Sequence, residues 1–234
     1  MCTHAIYAFI GLNSDGTIQI LDRWGDIDNR KFVTKDPTLR SKFVTNLYNF
    51  VKQYGFSGLD LDWEYPARRG GAPEDKVNFV SLVRELSAKF KPEGLLLTAA
   101  VSASVSEMSI SYDVPALSPH LDLIHLMTYD FHGPWEHHTG IHSALYASSV
   151  DQDPNLNAIC YLKYPGGYSP NWAAQQKVPF TFRGDQWVGY ENIESIKYKL
   201  AGMLVWSIDT DDKHNYCGKG SMPLLNTMKR ELGN

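Results

Sequence analysis

The chain has 234 residues, which suits one large domain or two small ones and is ample for a sizeable core. Hydrophobic residues make up 43% and charged residues 21%, values of an ordinary globular protein that exclude global disorder. Lys+Arg 22 against Asp+Glu 26 gives −4, so no face looks built to neutralise phosphates and no nucleic acid is expected as a partner. No membrane is expected either, because the longest apolar stretch, residues 94–105, is too short to span one and is interrupted by Thr98, Ser102 and Ser104.

Met1-Cys2-Thr3-His4 shows no basic stretch followed by an apolar one, so no leader peptide is visible. The chain enters a strand-like run at once, which suggests that something upstream is missing. Residues 3–10 read as a buried strand, and Asn13-Ser14-Asp15-Gly16 is turn chemistry. Asp36-Pro37 supplies an N-cap and a helix-starting proline. Leu39, Phe43, Leu47, Phe50, Val51 and Tyr54 then recur at helical spacing until Gly55.

Residues 56–63 read as a second strand. A helix from about Glu74 to Phe90 places Val77, Val80, Val83 or Leu82, and Leu86 on one side, and Pro92 and Gly94 end it. Residues 95–102, 121–129 and 203–208 read as further strands, and 224–232 as a last helix. Near-continuous apolar strands alternating with amphipathic helices indicate a parallel sheet covered on both faces. Residues 153–190, rich in Tyr, Trp, Gly, Pro and Gln, depart from this rhythm.

The chemistry concentrates in Leu59-Asp60-Leu61-Asp62-Trp63-Glu64-Tyr65-Pro66. Side chains alternate along a strand, so Leu59, Leu61 and Trp63 face the helices while Asp60, Asp62 and Glu64 face the other way. Same-face neighbours are about 6–7 Å apart at a rise of about 3.3 Å per residue. Burial and like charge both raise carboxyl pKa values, so at least one acid is expected to stay protonated near neutrality. A protonated carboxyl beside an ionised one is the equipment of glycoside hydrolysis. A solvated edge strand and a divalent-metal site are the rival readings of these residues. His132, His137, His138 and His142 also invite a metal, but Pro134 and Gly140 interrupt the run and no single helix face presents them. Cys2, Cys160 and Cys217 form no C-x-x-C pair; they allow one internal disulfide with one leftover, or three reduced thiols.

This acidic segment resembles the signature of the family 18 glycoside hydrolases, the chitinases and their relatives. Other segments are similar in the same order: Cys2 to Phe9 resembles that family's second barrel strand, Leu97 to Val101 its fifth, Met127 to Gly133 its sixth and Met203 to Asp209 its eighth. The resemblance implies an α/β fold of the (β/α)8 TIM-barrel type over residues 1–234, with 153–190 the remnant of a small α+β insertion. It implies hydrolysis of chitin or chito-oligosaccharide with no cofactor and no metal.

By that resemblance Glu64 is the general acid and later base, and Asp62 orients the substrate's acetamide. Asp60 biases the protonation of Asp62, and Tyr129 hydrogen-bonds the acetamide. Met127, Asp130 and Ala99 line the sugar subsite, Trp206 is its floor and Phe9 a further wall. Cys160 and Cys217 match positions that pair as a disulfide, implying a secreted setting.

The sequence also departs from the family pattern. Ser57 stands where a further Asp is usual. Nothing matches the first strand, the third strand with its Gly-Gly-Trp element, or the seventh strand with its Tyr and Arg. About five of eight strands remain, which leaves Cys2 without its usual partner and the barrel incomplete. The alternatives to an active enzyme are a chitinase-like lectin and an inactive fragment; the presence of Glu64 argues against the lectin.

Overall fold

The computed structural model of the chain describes residues 4–20, 34–132, 180–183, 186–189, 204–207, 211, 213–215, 218 and 220–232. The chain divides into two compact units, one of residues 6–127 and one of residues 128–234 with 1–5.

In the first unit, strands β1 (Ile10–Leu12) and β2 (Ile18–Ile20) pair antiparallel around the expected turn, where Gly16 takes φ 83°. Helix α1 (Pro37–Tyr54) begins as its sequence dictates: Asp36 accepts from the N–H groups of Thr38 and Leu39 at 2.7 and 3.0 Å. It ends at Gly55, whose φ of 69° a β-carbon would disfavour. Arg40 ties this helix to helix α2 (Asp75–Phe90), reaching Glu85 at 2.8 Å and the Thr34 carbonyl at 2.7 Å.

Strands β3 (Gly58–Asp62), β4 (Leu96–Ser102) and β5 (Leu123–Met127) form a parallel sheet in the order β3-β4-β5. Gly58 is required by closeness, since a β-carbon there would collide with the Leu96 carbonyl. Helix α2 seals the sheet's apolar face: Phe79, Val83, Leu86 and Phe90 pack with Leu61, Trp63, Leu97, Ala99 and Val101 in one buried cluster. Each large side chain sealed in this way contributes about 1.5–3 kcal/mol. Short helix α3 (Val105–Ser111) and the single turn α4 (Val114–Leu117) follow β4.

The second unit contains the antiparallel pair β6 (Phe180–Arg183) and β7 (Gln186–Gly189) and the helix α5 (Pro223–Leu232). Asp211 accepts from the N–H groups of Leu224 and Leu225 at 3.4 and 3.0 Å in the first turn of α5. Among the described residues no helix is long and apolar enough to cross a membrane.

Three expectations are corrected. Residues 4–9 carry no strand, and Ile6, Tyr7 and Phe9 are 49%, 62% and 45% exposed. Apolar content marks a tendency to be buried; a strand needs in addition a regular ladder of backbone hydrogen bonds, which apolar side chains do not specify. Residues 204–207 likewise carry no strand. Val77 is exposed, because the buried stripe of α2 runs through Phe79, Leu82, Val83 and Leu86 and leaves position 77 outside it.

Candidate active site

Strand alternation and parallel register together arrange the acids. Leu61 and Trp63 are buried on the helix side, so Asp60 and Asp62 take the opposite face. The register places Asp60 beside Thr98 and then Leu123, and Asp62 beside Ala100 and then His125. The central strand carries short side chains in both rows, which leaves room for the carboxyls.

The Thr98 hydroxyl donates to Asp60 Oδ1 at 2.5 Å. His125 Nδ1 lies 3.2 Å from the same oxygen, with both side chains largely buried. The separation is that of an ion-pair contact, and among the described residues Nδ1 makes no hydrogen bond.

Glu64 lies two residues beyond Asp62, past the carboxyl end of β3, with its side chain 36% exposed. That is the end at which parallel α/β architectures place their chemistry. Arg69 Nη2 stands 3.5 Å from Glu64 Oε2, and its guanidinium lies 5.2 Å from the centre of the Tyr65 ring. Burial, followed by the charge of Glu64, pushes the Tyr65 hydroxyl well above the usual tyrosine range and keeps it a donor.

The loop bearing these groups is pinned at two points. Arg68 makes a paired contact with Glu107, at 2.9 Å from Nε and 2.5 Å from Nη2. Asp75 accepts from the Ala72 N–H at 2.9 Å. The strand end is held by Tyr112, whose hydroxyl donates to the Trp63 carbonyl at 3.2 Å. Burial is the main cause that raises the Tyr112 hydroxyl above its ordinary value. The peptide bonds Ala8–Phe9, Glu64–Tyr65 and Trp206–Ser207 are cis.

Asp60, Asp62 and Glu64 are thus gathered at one strand end, and Met127 is buried at the carboxyl end of β5, two strands away. Ala99 is a correction: it pairs with Leu61, is fully buried on the helix face and cannot line a sugar subsite. The alternation that aims Asp60 at the site turns Ala99 away from it and leaves Thr98 and Ala100 on the acid face. Tyr129, Asp130 and Trp206 belong to the other unit; Tyr129 is half-buried, Asp130 is exposed at φ 55°, and Trp206 is 60% exposed. Cys2, Cys160, Cys217, His137, His138 and His142 lie outside the described residues. His132 is buried, and among the described residues no group of three His, Cys, Asp or Glu side chains could hold a metal ion.

Thr98, His125, Arg69 and Tyr112 were not legible as site residues. Counting by two from Met127 reaches His125, so alternation along β5 carried a signal for it. Arg69 and Tyr112 reach the site through loop and tertiary contacts, which no local period shows.

Comparison with known proteins gives one family. Residues 28–166 match the glycosyl hydrolases family 18. The chain is 29% identical to the probable chitinase 10 of Drosophila melanogaster over 339 residues, covering 99% of this chain and 15% of that protein. It is 28% identical to chitotriosidase-1 of Mus musculus, covering 99% of this chain and 72% of the relative. The Group IV chitinase of Ostrinia furnacalis superposes with a TM-score of 0.88 at 28% identity, over 100% of this chain and 92% of that structure. An alignment of 339 positions holds the 234 residues here only with gaps, so the Drosophila protein carries about a hundred further residues within the matched span.

Proposed function

The chain belongs to the glycosyl hydrolases family 18, with that family's (β/α)8 type of fold in shortened form, and from this premise we propose that it hydrolyses β-1,4 linkages between N-acetylglucosamine units in chitin and chito-oligosaccharides. The observation that carries the reading is the row Asp60, Asp62, Glu64, aimed away from the core at the carboxyl end of a parallel strand.

Glu64, whose side chain is 36% exposed, gives its proton to the glycosidic oxygen as that bond breaks. The substrate's own acetamide oxygen closes on the anomeric carbon, so no enzyme carboxylate bonds to the sugar. Asp62 holds the acetamide N–H and stabilises the positive charge that develops on it. Water then opens the oxazolinium with Glu64 as base, returning the proton and retaining the configuration. Asp60 sets the protonation of Asp62 from behind, Tyr129 hydrogen-bonds the acetamide, and Met127, Asp130, Trp206 and Phe9 supply walls for the sugar. No cofactor enters the scheme. A Cys160–Cys217 disulfide and a secreted setting belong to the same reading.

Release of fluorophore from a labelled chitotrioside by the purified chain, beside Glu64→Gln, tests the proposal. Loss of a general acid costs about 10²–10⁴ in rate. Turnover that falls by this amount with oligosaccharide binding retained supports the assignment. Undiminished turnover in Glu64→Gln removes it, and a folded wild-type chain that binds without cutting replaces hydrolysis by a binding role.

A further inference from the structure

We infer that His125 is a positioning residue for Asp60, carrying its proton on Nδ1 and using it to fix the carboxylate that acts on Asp62. The inference rests on the hydrolytic reading for its consequence in catalysis, but not for its geometry.

Two groups converge on a single oxygen. Thr98 brings a hydroxyl donor to Asp60 Oδ1 at 2.5 Å, and His125 Nδ1 stands 3.2 Å from that same atom. Both members of the His125–Asp60 contact are largely buried, and Nδ1 itself is closed to solvent with no other acceptor. A neutral imidazole carries one N–H and one lone pair, whereas a carboxylate only accepts. A lone pair on Nδ1 would therefore face the oxygen across 3.2 Å with nothing between them. A proton on Nδ1 turns that contact into attraction and satisfies the buried nitrogen, and a small turn of the ring completes the hydrogen bond.

Register puts the histidine in the row of the second acid, yet its Nδ1 stands against the first. His125 lies in the row of Asp62 and Ala100, one step further along the sheet than Asp60. Because Ala100 is small, the imidazole can lean across it, diagonally, towards Asp60. With Thr98 and His125 both on Oδ1, the carboxylate is pinned about its χ2 axis. The remaining oxygen, Oδ2, is then left for the neighbouring acid. Without His125 one tether remains and the carboxylate can rotate away, so the effect is on the chemical step rather than on sugar binding.

Two measurements test this. In the full chain labelled with ¹⁵N at histidine, in mildly alkaline buffer, the His125 signals are identified by their loss in His125→Asn. The Nδ1–H tautomer is expected, and the Nε2–H tautomer overturns the proposal whether or not the chain is active. In kinetics on the chitotrioside, His125→Leu is expected to lower kcat about tenfold or more with KM little changed, a cost in the range of small misplacements. His125→Asn, whose amide can stand where Nδ1 stood, is expected to recover most of that loss. Equal kcat in wild type and His125→Leu, or equal losses in both variants, overturns the proposal. A wild-type chain without turnover refutes the hydrolytic reading, while the tautomer still decides the role of His125.

Discussion

On one side of Gly58–Asp62 the strand runs in parallel register with Leu96–Ser102, and beneath that pairing Val83, Leu86, Phe90, Leu97 and Ala99 are closed to solvent. On its other side no described residue pairs with it. A cavity of about 90 Å³ lies there, lined by Ile10, Leu12, Phe43, Leu47, Leu61 and Trp63 among others. The strand that carries the acids is therefore an edge strand among the described residues, anchored from one flank. Its geometry comes from β4 and helix α2, while on the other flank the described residues supply buried apolar side chains around the cavity and no paired strand. The chain's shortness relative to its relatives bears on this flank, because a barrel closes only when strand number, tilt and shear agree.

The largest test of this contrast is a pair of truncations read by urea unfolding. Phe90→Ala empties a fully buried position on the closed flank and is expected to cost about 3–5 kcal/mol. Tyr7→Ser on the exposed segment is expected to stay within about 0.5 kcal/mol. Comparable costs at the two positions would mean that residues 4–9 are covered in solution.

A smaller effect sharpens the comparison through its sign. Leu12→Phe adds volume beside the cavity and is expected to stabilise by about 0.5–2 kcal/mol. In a packed interior the same change costs about 1–3 kcal/mol, so a lower unfolding midpoint shows that the flank is already filled.

The smallest effect lies in the hairpin. Hydrogen bonds from the hydroxyl and N–H of Thr17, with the Lys42 ammonium, hold the Asp15 carboxyl at about 2. A depressed folded-state value stabilises above the unfolded value, about 3.9, and is lost as pH falls through the folded one. Between about pH 4 and pH 2 the wild-type chain should therefore lose slightly more stability than Asp15→Asn. Parallel acid-unfolding curves for the two proteins would show that these contacts do not hold in solution.

Much of this was legible in residue order. Asp36-Pro37 and Gly55 bounded α1, the alternation of Leu59 to Glu64 separated core from acids, and the apolar runs at 95–102 and 121–129 contained β4 and β5. These features are local: caps satisfy orphan backbone groups, and the two faces of a strand differ by one residue. Residues 4–9 misled because apolar content measures a tendency to be buried and does not specify the backbone ladder that makes a strand.

Ala99 misled for a related reason. Strand identity does not say which parity faces the site until a register is set, and only the Leu61–Ala99 pairing settles that Thr98 and Ala100 belong beside the acids. The sequence by itself determined the acids, their common face and the family. Tertiary structure decided which neighbours the acids have: Thr98 and His125 meet at one oxygen of Asp60, and Arg69 stands against Glu64, because two strands align in parallel and a loop is pinned by Arg68 and Glu107. Such contacts join positions from 5 to 65 residues apart. The longer of them form only once the sheet has brought the strands together.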